Sequence, residues 1–488
     1  MKQKCTTWAT LAASIFVGGA LATSTQGQTS DALMNTLLKK GIITEKEAQD
    51  IKAEASKENQ KQFNQAFSAK TGMPAWVNSY KLYGDFRGRF EEDYSDNSIY
   101  HERDRYRFRL RLGLNVSMVD NFDVGFRLAT GNPQFNNGGF LVGGQSITAN
   151  QDLNSLESRK FVWIDAAYGK WTPIKNGNWT VSATIGKMDN PFQLSNMVWD
   201  YDINPEGAAL QIAYNLNDHH AIKLNSGIFV LDEFNQGNPS GSTVPAGFPV
   251  KASHDPYLYG NQLLFESKWN KNLETSVGLA QFNLVHKESL SGLVQPLYNA
   301  GNSRDLNGYL IHHYNPFIAS AWATYKIDTG PSVQFPIKAG GEYMHNPSAP
   351  SDRNTGYRVG VTLGKAGRKN TWEVNYRYQR LEADAWYDAL VDDDNRTFFA
   401  PGAYSAANYN PLRFRGLGSG TLGSRKDYGI FGGTNVKGHQ IVATYSFTDF
   451  LNFTFIYYIN DAIFSSNGAG FDDRSHAGHF MADLNWKF

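Results

Sequence analysis

The chain has 488 residues, carries 46 basic and 46 acidic side chains for a formal net charge of zero, and contains a single cysteine, Cys5. Zero net charge excludes the electrostatic footprint of a nucleic-acid-binding protein. With Cys5 in a segment expected to be removed, disulfides, thiolate metal sites and thiol catalysis drop out together.

Residues 1 to 22 read as a signal peptide: Lys2 and Lys4 precede an apolar stretch from Trp8 to Leu21, and Ala20-Leu21-Ala22 supplies the small-x-small cleavage pattern. Residues 23 to 77 read as a periplasmic helical segment and linker. Ser30 caps a short helix through Lys40, Gly41 ends it, and Thr44 with Glu47 forms a capping box for a second helix from Glu45 to about Ala69. Leu33, Leu37, Leu38, Ile42 and Ile43 give an apolar cluster too large for one helical hairpin to bury. Two readings stay open: a linker, or a unit that self-associates or packs on the mouth of the following domain.

After the signal the chain has no apolar run near the roughly eighteen residues a spanning helix requires. From 78 to 488 it alternates instead. Between Arg103 and Leu114, Arg103, Arg105, Arg107, Arg109 and Arg111 interleave with Tyr106, Phe108, Leu110, Leu112 and Leu114, which puts basic and apolar residues on opposite faces of a strand. A strand with lipid on one side and a wet lumen on the other satisfies both faces. Sixteen strands are predicted, over 78–92, 103–118, 121–130, 159–172, 178–187, 206–216, 219–230, 257–269, 272–284, 316–327, 333–345, 355–365, 370–382, 437–447, 450–460 and 477–488. Short links such as Val119-Asp120 and Thr448-Asp449 alternate with long ones such as 131–158 and 383–436, the layout of an antiparallel transmembrane β-barrel with both ends in the periplasm. The fold class is therefore all-β, a sixteen-stranded barrel, wide enough to hold water where about eight strands would be filled by side chains.

Strand phase sends Arg87, Arg89, Arg105, Arg107, Arg109, Arg111 and Arg127 to the lumen as a basic wall. The third long connection, Met188 to Pro205, and the residue that follows it hold Asp189, Asp200, Asp202 and Glu206 together with Asn190, Phe192 and Trp199, and no base. This loop is expected to fold inward as the constriction, facing the arginines and giving the pore an anion bias. At the C-terminus Phe480, Ala482, Leu484, Trp486 and Phe488 share one face, and Trp486 with the terminal Phe488 looks like the sorting signal read by the barrel insertion machinery.

Gly186-Lys187-Met188-Asp189-Asn190-Pro191-Phe192, Trp199-Asp200-Tyr201-Asp202-Ile203-Asn204-Pro205-Glu206-Gly207 and the opening Tyr83-Gly84-Asp85-Phe86-Arg87-Gly88-Arg89 resemble the putative porin family of Gram-negative bacteria. The prefix Leu37-Leu38-Lys39-Lys40-Gly41-Ile42-Ile43-Thr44-Glu45-Lys46-Glu47-Ala48 is similar to that before the barrel in these proteins and in phosphate-selective porins. The resemblance implies an integral outer-membrane diffusion channel for small hydrophilic solutes, in contact with lipid and lipopolysaccharide, and a homotrimer. Alternatives are a channel specific for an oxyanion or sugar, or an adhesin acting through its long outer loops.

No enzyme activity, cofactor or metal is expected. His219-His220 and His312-His313 point to opposite faces of an extended chain and read as loop-end residues, and Asp392-Asp393-Asp394-Asn395 lacks the spaced ligands and turn glycine of a calcium loop and reads as a solvated charge run.

Overall fold

The computed structural model describes residues 74–96, 102–135, 141–235, 238–239, 254–290, 299–303, 310–330, 333–399, 429–463 and 476–488. The expected signal peptide and prefix helices lie outside these residues.

Sixteen strands form the wall. They are β1 (Val77–Ser95), β2 (Arg103–Met118), β3 (Phe122–Thr130), β4 (Val162–Asn176), β5 (Trp179–Lys187), β6 (Glu206–Asn215), β7 (His220–Val230), β8 (Tyr257–Lys268), β9 (Leu273–Val285), β10 (Phe317–Gly330), β11 (Val333–His345), β12 (Thr355–Gly364), β13 (Thr371–Leu381), β14 (Val436–Ser446), β15 (Leu451–Ala462) and β16 (Ala477–Lys487). Each pairs with its chain neighbour, and β16 returns to β1 with Asp85 opposite Lys487 and Ser95 opposite Ala477. Closure leaves the wall no free edge, which backbone groups in hydrocarbon demand. The seam is completed by the Phe488 amide donating to the Gly84 carbonyl at 3.0 Å and the Gly84 amide to the Phe488 carbonyl at 2.8 Å.

The faces sort as alternation requires. On β2, Tyr106, Leu110 and Leu112 are 62 %, 41 % and 40 % exposed while Arg107 and Arg109 are 4 % and 8 % exposed, so the apolar row is the outer one. On β16, Met481 and Asp483 are buried inside, and outward Trp486 packs against Phe86 of β1 with ring centroids 5.6 Å apart.

One hairpin differs from expectation. The link expected at Pro173 to Gly177 is instead strand, and β4 runs on to Asn176 before turning at Gly177, whose φ is 45°. Pairing jumps from Trp171–Ala183 to Ile174–Val181, so Pro173 sits in a bulge where its missing N–H costs no ladder bond. The Val119–Asn121 turn places Asp120 and Asn121 at φ 58° and 60°, a left-handed conformation those two residue types tolerate.

Candidate functional site

The lumen-facing positions of β1 from 85 to 93 run Asp85, Arg87, Arg89, Glu91 and Asp93, mixing both charges, and those of β2 from 103 to 111 are all arginines. The two rows interlock. Arg109 Nη2 lies 2.8 Å and Arg111 Nε 2.7 Å from the two oxygens of Asp85. Arg107 Nη1 is 3.0 Å from Glu91, which also accepts from Arg105. Arg89 is held bidentately by Asp483, which stands 3.6 Å from Arg87 as well. Arg127 of β3 pairs with Asp165 and, at 2.9 Å, with Asp189. The expected arginine wall is therefore turned inward but is not a row of free cations. Each of its seven guanidinium groups faces a carboxylate, as burial of a charge requires.

The second long connection contributes too. Gln151–Asp152 pairs along β2 opposite Arg107 and Phe108, beyond where β3 ends, and Asp152 Oδ1 reaches Arg107 Nε at 2.7 Å. From the connection after β13, Arg396 reaches across to Glu91 and Asp93, both at 3.0 Å.

The 188–205 connection is tied to strands far across the barrel. Gln193 and Gln262 of β8 exchange two bonds, amide to Oε1 and Nε2 to carbonyl, both 2.9 Å. The Ser195 amide donates to Glu342 of β11 at 2.9 Å. Asn196 accepts from Arg358 of β12 and donates to Asp392. Apolar packing does the rest: Phe192 stands edge-on to Phe282, centroids 5.0 Å apart, and Trp386 packs on Phe282 and donates to the Val198 carbonyl at 2.8 Å. Met197, Val198, Trp199, Phe282, Tyr314 and Trp386 are almost fully buried in one cluster with Leu390 and Val391. Each such side chain is worth about 1.5–3 kcal/mol out of water, so this loop is fixed.

Its acids divide. Asp202 stands 3.6 Å from Arg109, and Asp189 pairs with Arg127 as above. Asp200 does not face the arginine strands. It is buried, accepts the Asp202 amide at 2.7 Å, and lies with Asp392 and Asp393 in a group of three carboxylates. Glu206 opens β6 and pairs with Lys187 at 2.9 Å, on the strand rather than in the connection before it. Asn190 caps its own turn, its Oδ1 accepting the Phe192 amide at 2.9 Å.

The run Asp392-Asp393-Asp394-Asn395, expected to be solvated, is a correction. Asp392 and Asn395 are buried beneath the inward loop. Burial, with Asp394 next, pushes Asp392 up to about 6, and burial with neighbouring carboxylates raises Asp200 and Asp393 well above the usual aspartate range. In Asp202 burial pushes upward but Arg109 and Arg87 outweigh it and lower the value.

Sequence reasoning took the arginines of β1 and β2 and expected some of them to pair with Asp85, but passed over Glu91 and Asp93, although these occupy the same odd-numbered face and the alternation already marked them as lumenal. The carboxylate of Asp483 could be read the same way. Arg396, Gln262, Glu342 and Trp386 carried no signal, because their roles depend on how two long loops lie.

A cavity of about 440 Å³ lies beside the inward loop, bounded by Gln193, Ser195 and Tyr201 and by lumen-facing residues of strands β8 to β13.

A family model described as putative porin matches residues 96–291. No curated protein matches the chain. Among solved structures, a triple mutant of the Rhodopseudomonas blastica porin is similar at 9 % identity, covering 84 % of this chain and 100 % of its own, with a TM-score of 0.37. Salmonella typhi OmpF in complex with daunomycin is similar at 10 % identity, covering 84 % and 97 %, with a TM-score of 0.41.

Proposed function

We propose that this chain, matched to the putative porin family over 96–291, is an outer-membrane porin, a water-filled diffusion channel for small hydrophilic solutes. The observation that carries the reading is the closed sixteen-stranded wall, greasy outside and charged inside, with a loop packed across its interior. A helix-free membrane crossing must be such a wall, and a wall of this strand number leaves room for solutes. Its chemistry is passive: charged side chains at the narrowest level sort solutes by charge and dipole, and no group on the wall is asked to react.

The constriction is formed by Asp189, Tyr201 and Asp202 of the inward loop against Arg109, Arg111 and Arg127. Tyr201 and the carboxylate of Asp189 are the exposed members, at 66 % and 63 %. The paired state of the arginines removes the strong anion bias that seven free guanidinium groups would give. The outer girdle contacts lipid and lipopolysaccharide, Trp486 and Phe488 serve insertion, residues 23–77 stay in the periplasm, and the assembly is a homotrimer. Liposomes reconstituted with the protein swell in isotonic monosaccharide and stay unswollen in a large oligosaccharide; liposomes that swell in neither refute the porin reading.

A further inference from the structure

The arginines of β1 to β3 are matched by carboxylates, but the opposite part of the lumen is not balanced. Arg358 of β12 and Arg377 of β13 both donate to one neutral atom, Gln440 Oε1, at 3.1 and 3.2 Å, and Arg358 also donates to the neutral Asn196. Among the described residues neither guanidinium has a carboxylate within ion-pair distance. Lys338 of β11 is exposed, with its Nζ 4.9 Å from the centre of the Trp322 ring. These cations line the 440 Å³ cavity beside the inward loop, as does Lys268.

The cavity's acids do not cancel them. Glu266 is taken by Lys223 at 2.8 Å and Glu274 by Lys326 at 2.5 Å. Glu342 alone lacks a cation partner, and it is occupied by Ser195. Four cations thus face one uncompensated carboxylate. The lining also offers hydroxyls, Ser276 and Thr324 among them, which both donate to and accept from the hydroxyls of a ligand. Trp322 and Tyr201 supply flat apolar faces at the same place.

We infer that this cavity is a binding subsite for a hydroxylated oxyanion of monosaccharide size, such as a sugar acid or sugar phosphate. Arg377 and Arg358 take the anionic group in their planar forks. Ser276 and Thr324 meet the ligand's hydroxyls, and Lys338 with Trp322 bounds the ring. The inference rests on the channel reading, since it places the subsite on the diffusion path.

Calorimetric titration of the purified protein in detergent tests it without needing current. Glucuronate binds saturably, inorganic phosphate binds more weakly, and glucose does not bind. Lys338→Gln together with Arg377→Gln weakens glucuronate binding at least tenfold, and Arg377→Lys, which keeps the charge but loses the planar fork, weakens it by less; Arg358 is left intact because it is buried. Folding of each variant is read from retained heat-modifiable migration on gels. No glucuronate binding, glucose binding as tightly as glucuronate, phosphate binding as tightly as glucuronate, or unchanged affinity in the folded double variant overturns the assignment. Liposome swelling on the same preparations decides the channel reading separately.

Discussion

Arg89 of β1 and Asp483 of β16 are joined by two parallel bonds, Nε to Oδ1 at 2.7 Å and Nη2 to Oδ2 at 2.8 Å, so a buried ion pair spans the seam where the last strand meets the first. Removing Arg89 leaves the buried Asp483 with only the looser contact to Arg87, 3.6 Å away, and costs up to about 3–5 kcal/mol. Arg89→Met therefore lowers the temperature at which the barrel unfolds on semi-native gels. Adding Asp483→Leu to it recovers only part of the loss, because two apolar groups replace the pair but Arg87 then loses its carboxylate. A single variant as heat-stable as the parent would show that the seam does not depend on this pair.

Trp386 anchors the inward loop from the neighbouring one. Trp386→Ala removes its bond to Val198 and opens a void beside Phe282, at a cost of about 3–5 kcal/mol for a buried tryptophan. The barrel wall does not depend on that contact and stays folded. Limited proteolysis should cut the 188–205 loop faster in this variant, with the same heat-modifiable migration. Equal cutting rates would mean the loop is held by the Gln262 and Glu342 bonds alone.

The buried carboxylates give the loop contact a pH dependence of definite sign. Asp392, raised to about 6 from 3.8 chiefly by burial and then by Asp394, binds its proton more tightly folded than unfolded. Its contribution is complete below about pH 3.8 and is lost as pH rises through about 6. Asp200 and Asp393 shift in the same direction. Arg358, Arg377 and Tyr458 face Asp392 from the wall and oppose only part of the effect. Hydrogen-exchange protection over 382–395, corrected for the intrinsic pH dependence of amide exchange, should be greater at pH 4.5 than at pH 7.5, both roughly bracketing that titration, and Asp392→Asn should flatten the difference. Lower protection at the lower pH would reverse the assigned sign.

All sixteen strands were legible because lumen and lipid impose a strict two-residue period, and even the one shifted hairpin moved only by the bulge that seats Pro173. In the 188–205 loop, whose Phe192 packs on Phe282 of β9, the aromatic content was legible. Its acid partners were not. Asp200 was read as facing the arginines, yet the turn closed by the Asp202 amide on the Asp200 carboxylate sends the two side chains to different neighbours. Arg377 was visible on the lumen face of its strand, between Asn375 and Gln379. What made it distinctive, the lack of an acid across from it, depends on the side chains of β12 and β14 and has no trace in local pattern.

That division separates two loop acids experimentally. Asp189 is solvent-facing in the lumen and Arg127 keeps Asp165 without it, so Asp189→Asn moves the zero-current potential in a salt gradient toward anion preference by a few millivolts. The shift fades as salt shortens the Debye length, about 8 Å at physiological strength. Asp200→Asn leaves the potential unchanged because that carboxylate does not meet the water path. Equal shifts in both would put Asp200 in the pore and contradict the loop placement.

Single-channel recording of the purified protein in a planar bilayer reaches the central claim most directly. A porin inserts in discrete steps and then passes a steady current proportional to voltage through a constantly open path. Stepwise ohmic conductance in potassium chloride is the predicted result. Protein that is shown by heat-modifiable migration to be folded, yet yields no conductance steps, would contradict the account.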